Sequence, residues 1–272
     1  MGRPLVATVV TALVAAVVPL PAAPASAAVV LSAAGASAAY PVKNAPALTA
    51  NKLYKSGALP VFECRKGALS TAGAKAAAKT LQALWGCMNT AWEGYFRKAG
   101  LPFTPAKLVV LTKGARFCGD AWGKDQAGSY CDDTSTGAVL ADKDYLRTRE
   151  IFHFQLVAGV YAYHLQRLTG IGKAFEAIPY SSKAELNEQF RRYSLQSKCL
   201  AGIFLGATWK TAAREAESWR ALLELMKDNG DEGKKPGRQG RGASIARWLD
   251  RGHASRDPRS CDTWTAASKL VA

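Results

Sequence analysis

The sequence of 272 residues has only three histidines and lacks the short motifs that mark several common catalytic machineries. It has no G-x-S-x-G nucleophile elbow, no G-x-x-x-x-G-K-[ST] phosphate loop and no dinucleotide-binding fingerprint. No two cysteines have C-x-x-C spacing, which disfavours a thiolate zinc site. Paired carboxylates for glycoside hydrolysis stay possible, because their spacing is set in space and not along the chain.

The N-terminus has the three parts of a secretory signal peptide. A short positive start is followed by an apolar run, and small residues lead to a cleavage pattern that ends at Ala27, with a second candidate at Ala38. The alternative is a retained membrane anchor, against which Pro19, Pro21 and Pro24 argue. We therefore expect a secreted protein whose mature chain has no transmembrane helix.

Acidic residues are scarce relative to basic ones. The chain has 36 Lys+Arg against 21 Asp+Glu, a formal net charge of +15. Such a charge attracts anionic surfaces, and for a secreted protein we expect wall polymers, lipid headgroups or acidic proteins rather than nucleic acid, for which there is no motif. The alternative is that the charge only keeps the protein soluble.

The rest of the chain divides into a linker and one predicted α+β domain. Residues 28–48 are rich in Ala, Pro and Ser and have few large side chains, as in a linker. Residues 49–272 show no internal repeat and alternate helical and strand patterns. The first predicted elements are a helix from Ser70 to Gly100 and strands at Lys107–Thr112 and Gly137–Ala141. A long helical stretch capped by Asp142 follows, then a helix from Ser181 or Ser182 and a helix from Thr208 to Lys227, which Gly230 terminates. An exposed loop at 231–242 and a short helix at 243–252 complete the prediction.

An even number of cysteines in an oxidising compartment predicts disulfides rather than metal or redox chemistry. Six cysteines permit 15 pairings. We favour Cys64 with Cys87 and Cys118 with Cys131, which close local loops, and Cys199 with Cys261, which ties the tail to a helix.

Seven segments occur in an order that carries a family resemblance: LYKSGALP, CMNTAW, AGLPFTPAKLVVLT, FCGDAWGKDQAGSYC, HLQRLTGI, LQSKCLAGIFLGA and SCDTW. Together they resemble the secreted neutral zinc metallopeptidases of actinobacteria, which belong to the zincin class. The resemblance covers most of the mature chain and places all six cysteines. It implies a zincin-like metallopeptidase fold, mostly helical with a small disulfide-stabilised sheet.

In that family a helix carries a His-Glu-x-x-His motif, because residues four apart on a helix can bring two imidazoles to one zinc. The glutamate acts as general base on the metal-bound water. The resemblance places the first ligand at Gly159, the base at Val160 and the second ligand at Tyr163, so all three functions are absent. His164 matches a histidine that is not a ligand in the family.

The third ligand of such enzymes is a glutamate, and the resemblance places it at Ser194, with Lys198 one turn further on. A hydroxyl is a poor substitute for a carboxylate at zinc, and an ammonium nearby opposes a dication. His153 and His164 would lie about 16 Å apart on one helix, and His253 is in another element, so they do not rebuild the site. We therefore expect no zinc and no other cofactor.

Two interpretations of the altered helix follow. Val160 and Tyr163 fill the vacated cavity as core residues, or the former cleft survives as a binding groove with Tyr161, His164 and Lys198 as candidates. We expect a pseudopeptidase that binds a peptide or an anionic cell-wall polymer. The alternatives are an extracellular hydrolase with an unrecognised metal-independent site and a basic structural protein of the cell envelope. The sequence indicates no oligomeric state.

Overall fold

The computed structural model describes residues 42–65, 68–123, 126–141, 146–147, 149–211, 214–231 and 237–272. The compact unit extends from Ser37 to Ala272. The predicted signal peptide, the linker up to residue 41 and Asp142 lie outside the described residues. Val42 and Leu48, at the end of the predicted linker, are buried in the core, so these last residues pack with the domain.

The described residues form an α+β fold, as predicted. The α-helices are α1 (Pro46–Thr49), α2 (Ala74–Lys98), α3 (Glu150–Leu168), α4 (Ile171–Ala177), α5 (Lys183–Thr208), α6 (Ala216–Lys227) and α7 (Gly242–Ser255). The strands are β1 (Lys107–Leu111), β2 (Arg116–Phe117), β3 (Asp120–Ala121), β4 (Gly128–Cys131) and β5 (Thr136–Leu140). Short 3₁₀ turns lie at Lys52–Lys55, Pro258–Cys261 and Ser268–Leu270. None of the helices in these described ranges has the length and apolarity that a bilayer crossing requires.

The main sheet has three strands in the order β1-β5-β4. Strand β1 runs parallel to β5, and β4 is antiparallel to β5. The two predicted strands match β1 and β5 to within one residue. Gly137 on β5 faces the ring of Trp85, and a Cβ added there would lie 2.3 Å from that ring, so helix α2 packs directly on the sheet.

Helix α2 forms as its apolar pattern predicts, although it begins at Ala74 rather than Ser70. Its predicted apolar face is buried: Leu81, Leu84, Trp85, Met88, Trp92 and Phe96. Gly100 follows the helix with a φ of +63°, a conformation that favours glycine and ends the helix.

The helix predicted from Thr208 to Lys227 is wrong at its start. Helix α5, capped by Ser182, whose side chain accepts a hydrogen bond from the Glu185 amide, continues to Thr208, and α6 begins only at Ala216. Trp209 packs edge-on against Trp219 with ring centroids 5.3 Å apart. That contact requires the chain to turn back after α5.

Helices α5 and α7 cross so closely that only glycine fits at their contact points. A Cβ on Gly202 would lie 2.1 Å from the carbonyl oxygen of Leu249, and one on Gly252 would lie 1.9 Å from that of Cys199. Gly206 makes a similar approach to His253. The backbones therefore touch at three points where any side chain would separate the helices.

Three disulfides join Cys64 to Cys87, Cys118 to Cys131 and Cys199 to Cys261, which is the pairing expected from the sequence. Cys199 lies on α5 and Cys261 in the C-terminal segment, and both are fully buried. The loop-entropy relation assigns each bond about 3 to 4 kcal/mol of stability.

A buried arginine adds a second link between α5 and the C-terminal segment. Arg192 is fully buried and donates hydrogen bonds to the backbone carbonyls of Thr263 and Ala266. Its guanidinium also binds Glu188, one turn earlier on α5, at 2.7 Å. The carboxylate and the carbonyls together supply the acceptors that a buried guanidinium requires.

Candidate functional site

A cleft of about 590 Å³ opens between α3 and α5. Its remaining walls come from the segment that enters β4, from the end of α6 and from the chain that leads into α7. The lining residues are Gln126, Ala127, Gly128, Phe152, Gln155, Leu156, Gly159, Val160, Tyr163, Phe190, Tyr193, Ser194, Ser197, Lys198, Met226, Asn229, Arg238, Gln239 and Ile245.

The four positions that the resemblance assigns to zinc ligands and base all line this cleft. Gly159, Val160 and Tyr163 come from α3, and Ser194 comes from α5. Residues 159 and 163 are four apart on a continuous helix and therefore lie on one face, one turn apart. The fold thus brings together faces of two helices that are distant in the sequence.

The side chains at these positions do not fit a zinc ion. Gly159 has no side chain, and the nearest atom to a Cβ built there is Gln155 Nε2 at 3.6 Å. Val160 is buried and fills the space left by Gly128, where an added Cβ would lie 2.6 Å from Val160 Cγ2. Within the described chain, no group of three or more His, Cys, Asp or Glu side chains could hold a metal ion. The phenol of Tyr163 and the hydroxyl of Ser194 are poor zinc ligands on their own.

Aromatic rings form one wall of the cleft. The ring of Tyr163 lies 5.4 Å from that of Tyr193, which stacks on Phe175 with centroids 4.6 Å apart. Burial raises the pKa of the Tyr193 phenol, so this side chain is neutral at physiological pH. The guanidinium carbon of Arg238 sits 4.1 Å from the centroid of the Phe190 ring, a cation–π contact at the mouth of the cleft.

Lys198 is a cation in the wall of the cleft. It lies on α5 one turn beyond Ser194, is partly buried, and makes no hydrogen bond or ion pair to any described residue. Burial lowers the pKa of its ammonium. Among the described residues that line the cleft, two are cations, Lys198 and Arg238, and none is an aspartate or glutamate.

Gln155 is a second polar group without a partner. Its side chain is 2% exposed, and its Nε2 has no hydrogen-bond acceptor among the described residues. It lies one helical turn before Gly159, on the same face of α3. Buried amide nitrogens are almost always paired, so this one indicates a place where an acceptor is missing.

The structure corrects the assignment of Tyr161 to a binding groove. Tyr161 is 1% exposed and packs edge-on against Trp85, with ring centroids 4.9 Å apart. Its hydroxyl donates to Asn89 Oδ1 at 2.9 Å. Position 161 lies on the face of α3 that packs against α2, away from the cleft, and there its ring serves as part of the core.

His164 is likewise a core residue and not a groove residue. It is fully buried, with Nε2 2.8 Å from the Thr104 carbonyl and Nδ1 2.7 Å from the Tyr130 hydroxyl. A carbonyl only accepts, so Nε2 carries the proton and Nδ1 accepts from Tyr130. Burial lowers the pKa of His164, which keeps the ring neutral in this arrangement.

The other two histidines are also outside the cleft. His153 is buried in α3. His253 lies on α7 and stacks on Trp219 with ring centroids 3.8 Å apart. The three histidines therefore occupy three different environments, as their spacing predicts.

Three further residues that were not predicted from the sequence also line the cleft: Gln155, Tyr193 and Asn229. Gln155 could have been predicted from the sequence, because it is four residues before Gly159 and must lie on the same face of the helix. The four basic residues of the predicted loop at 231–242, Lys234, Lys235, Arg238 and Arg241, allow either a basic docking strip or a simply solvated loop, and the composition favours the solvated loop. Of these, Arg238 lines the cleft, and Lys234 and Lys235 lie outside the described residues.

Comparison of the chain with family models, with curated proteins and with solved structures gives no match.

Proposed function

We propose that this chain is a secreted, zincin-like protein that has lost zinc binding and peptide hydrolysis and that binds a peptide or an anionic envelope polymer in the cleft between α3 and α5. One observation carries the proposal. Gly159, Val160, Tyr163 and Ser194 line one cleft, as the ligand and base positions of a zincin would, yet none supplies an imidazole or a carboxylate.

The shape and chemistry of the cleft support the binding of a ligand there, rather than a lost zinc site that is simply filled by core side chains. Its volume of about 590 Å³ lies within the range of small-ligand pockets. Aromatic rings, side-chain amides and two cations line it, a combination that suits a peptide or an acidic polymer. The net charge of +15 would favour approach of either ligand.

The extracellular location rests on two features. Three disulfides suit an oxidising compartment, since cytosolic thiols are kept reduced. The N-terminal residues have the order of charged, apolar and small segments that a signal peptide requires.

The metal-independent hydrolase is less well supported. Ser194 and Lys198 would be its most natural nucleophile and base, because both line the cleft one turn apart on α5. A serine nucleophile needs a hydrogen bond to its base. Within the described chain the Ser194 hydroxyl and the Lys198 ammonium share no such bond.

The first test measures zinc and hydrolysis on the same purified mature protein. The protein is exposed to micromolar zinc, dialysed against a weak chelator and analysed by elemental mass spectrometry, and its cleavage of casein is measured with and without chelator. We expect a zinc ratio near zero and no cleavage.

Each alternative gives a different result. One zinc per chain with chelator-sensitive cleavage would refute the proposal. Cleavage that survives chelators and is lost in Ser194→Ala would identify the hydrolase. Retention on isolated cell walls that salt reverses, with no ligand bound in the cleft, would identify the envelope protein.

A further inference from the structure

The cleft contains two hydrogen-bond donors that need acceptors from outside. The Lys198 ammonium has no partner in the described ranges, and the Gln155 Nε2 has none either. Both residues line the same cleft, from facing helices. Leaving a cation or an amide donor unpaired in a partly buried site costs free energy, so a bound acceptor would relieve both.

The charge of the lining residues decides the sign of that acceptor. Lys198 and Arg238 are positive, and none of the described lining residues is acidic. A cationic ligand would meet two like charges at short range, whereas an anion would be attracted by both. The Gln155 Nε2, which has no acceptor among the described residues, can donate a hydrogen bond to such an anion.

A carboxylate suits this donor set better than a phosphate. One ammonium and one neutral amide match a single negative charge with two oxygens. A phosphate group carries more charge and is usually bound by several cations or by the fork of an arginine. Here Arg238 is exposed and already packs on Phe190, at the mouth of the cleft.

The remaining walls favour a peptide over a repeating polymer. Tyr163 and Tyr193 offer flat apolar surface for a side chain, and Gln126, Asn229 and Gln239 offer amides that can pair with peptide groups. A long acidic polymer would require an exposed basic track rather than one cation inside a cleft.

We propose that Lys198 and Gln155 bind the carboxylate of a peptide whose neighbouring side chain lies against Tyr163 and Tyr193. This inference rests on the binding function proposed above and names its ligand class. The carboxylate has two possible sources, the free C-terminus of a peptide or the side chain of an aspartate or glutamate, and the test separates them.

Three pools of N-acetylated tripeptides serve as probes. The first contains neutral residues with a free C-terminal carboxylate, the second contains the same residues with a C-terminal amide, and the third has a central glutamate and a C-terminal amide. Binding to the full mature protein is measured by equilibrium dialysis with mass-spectrometric quantification. We expect the first or the third pool to bind at least about tenfold more tightly than the second, as for loss of one charge-assisted hydrogen bond.

Matched variants assign that preference to its residues. Lys198→Met should reduce binding of the preferred pool to the level of the neutral amides, and Gln155→Leu should reduce it by several-fold. Lys198→Arg should retain part of the preference, because the charge remains. Lys98→Met removes an exposed lysine at the end of α2 and should change nothing. Circular dichroism and thermal melting verify that each variant is folded.

Two results would overturn this inference. In the first, all three pools bind equally and the Lys198→Met variant binds them as tightly as the native protein does. That result would show peptide binding without a carboxylate anchor, and it would leave the proposed function intact. Binding of a polyphosphate or a wall polymer with no peptide pool bound would also overturn it. A stoichiometric zinc ion with chelator-sensitive cleavage would instead refute the underlying function, so the two failures are distinguishable.

Discussion

Gly202 on α5 and Leu249 on α7 approach so closely that a Cβ on Gly202 would lie 2.1 Å from the Leu249 carbonyl oxygen. The obstacle is backbone, which cannot rotate away as a flexible side chain can. The position of α5, and with it the cleft residues Ser194 and Lys198, therefore depends on a residue that does not line the cleft.

We expect Gly202→Ala to destabilise the protein by about 3 kcal/mol or more, since the added methyl group must push two helices apart. Gly94→Ala is the matched control. Gly94 is also helical, but an added Cβ there meets nothing within 4 Å, so the better helix propensity of alanine should stabilise the protein by about 0.5–1 kcal/mol. Urea denaturation measures the free energy of unfolding of both variants. Equal stability of the two would contradict the close approach of α5 and α7 at Gly202.

The zinc site can be rebuilt if the cleft has the geometry that the resemblance implies. We expect a variant with Gly159→His, Tyr163→His and Ser194→Glu to bind one zinc per chain, because the three positions line one cleft and supply two imidazoles and a carboxylate. Adding Lys198→Gln should tighten zinc binding, since it removes a nearby positive charge.

The control for the rebuilt site keeps Gly159 and carries only Tyr163→His and Ser194→Glu. With two ligands it should bind zinc far more weakly than the three-ligand variant. Isothermal titration calorimetry measures the zinc affinity of the three-ligand variant, with and without Lys198→Gln, and of the two-ligand control. A folded three-ligand variant that binds no more zinc than the control would show that these positions do not match a zincin site.

Stability should fall in mild acid because of His253. Burial lowers the pKa of His253 to about 4 from 6.5. Its ring lies between Trp219 and Trp209, its Nε2 has no described acceptor, and the nearby Asp250 only partly opposes the shift. Well above pH 6.5 the ring is neutral in both the folded and the unfolded chain, so this contribution to stability is complete.

As the pH falls from 6.5 towards 4, the unfolded chain takes up the proton first and the free energy of unfolding decreases. His253→Phe preserves the stacked ring and removes the titration. We expect urea midpoints measured between pH 7.5 and 4 to fall less steeply for His253→Phe than for the native chain. The buried, low-pKa ring of His164 contributes in the same direction and remains in both proteins. If the urea midpoints of the two proteins fell in parallel with pH, His253 would not be the source of the loss of stability in acid.

Much of the fold could be predicted because it depends on local pattern. The apolar face of α2, the strands β1 and β5 and the cap at Ser182 follow from spacing and residue type. The helix predicted to begin at Thr208 begins at Ala216 instead, because nothing local marks the end of α5 at Thr208. That end is set by the distant packing of Trp209 on Trp219.

The site was predicted in part, from the resemblance rather than from local pattern. The resemblance assigns Gly159 and Tyr163 to one site, helical spacing places them on one face of α3, and the cleft contains both. Spacing alone does not say which face of α3 meets solvent, so Tyr161 and His164 were assigned to the groove although they pack inward against α2 and the sheet. Arg238 reaches the cleft from a loop whose course has no periodic signal in the sequence.

The glycine crossing of α5 and α7 also bears on the thermodynamics of recognition. Because Gly202, Gly206 and Gly252 lock the two backbones together, the segment of α5 that carries Lys198 is ordered when the protein folds. A ligand bound at Lys198 would meet an ammonium on an immobile helix, and little conformational entropy would be lost at the moment of binding. A few contacts from a small ligand would then suffice for affinity, whereas the same lysine on a mobile loop would require a larger interface.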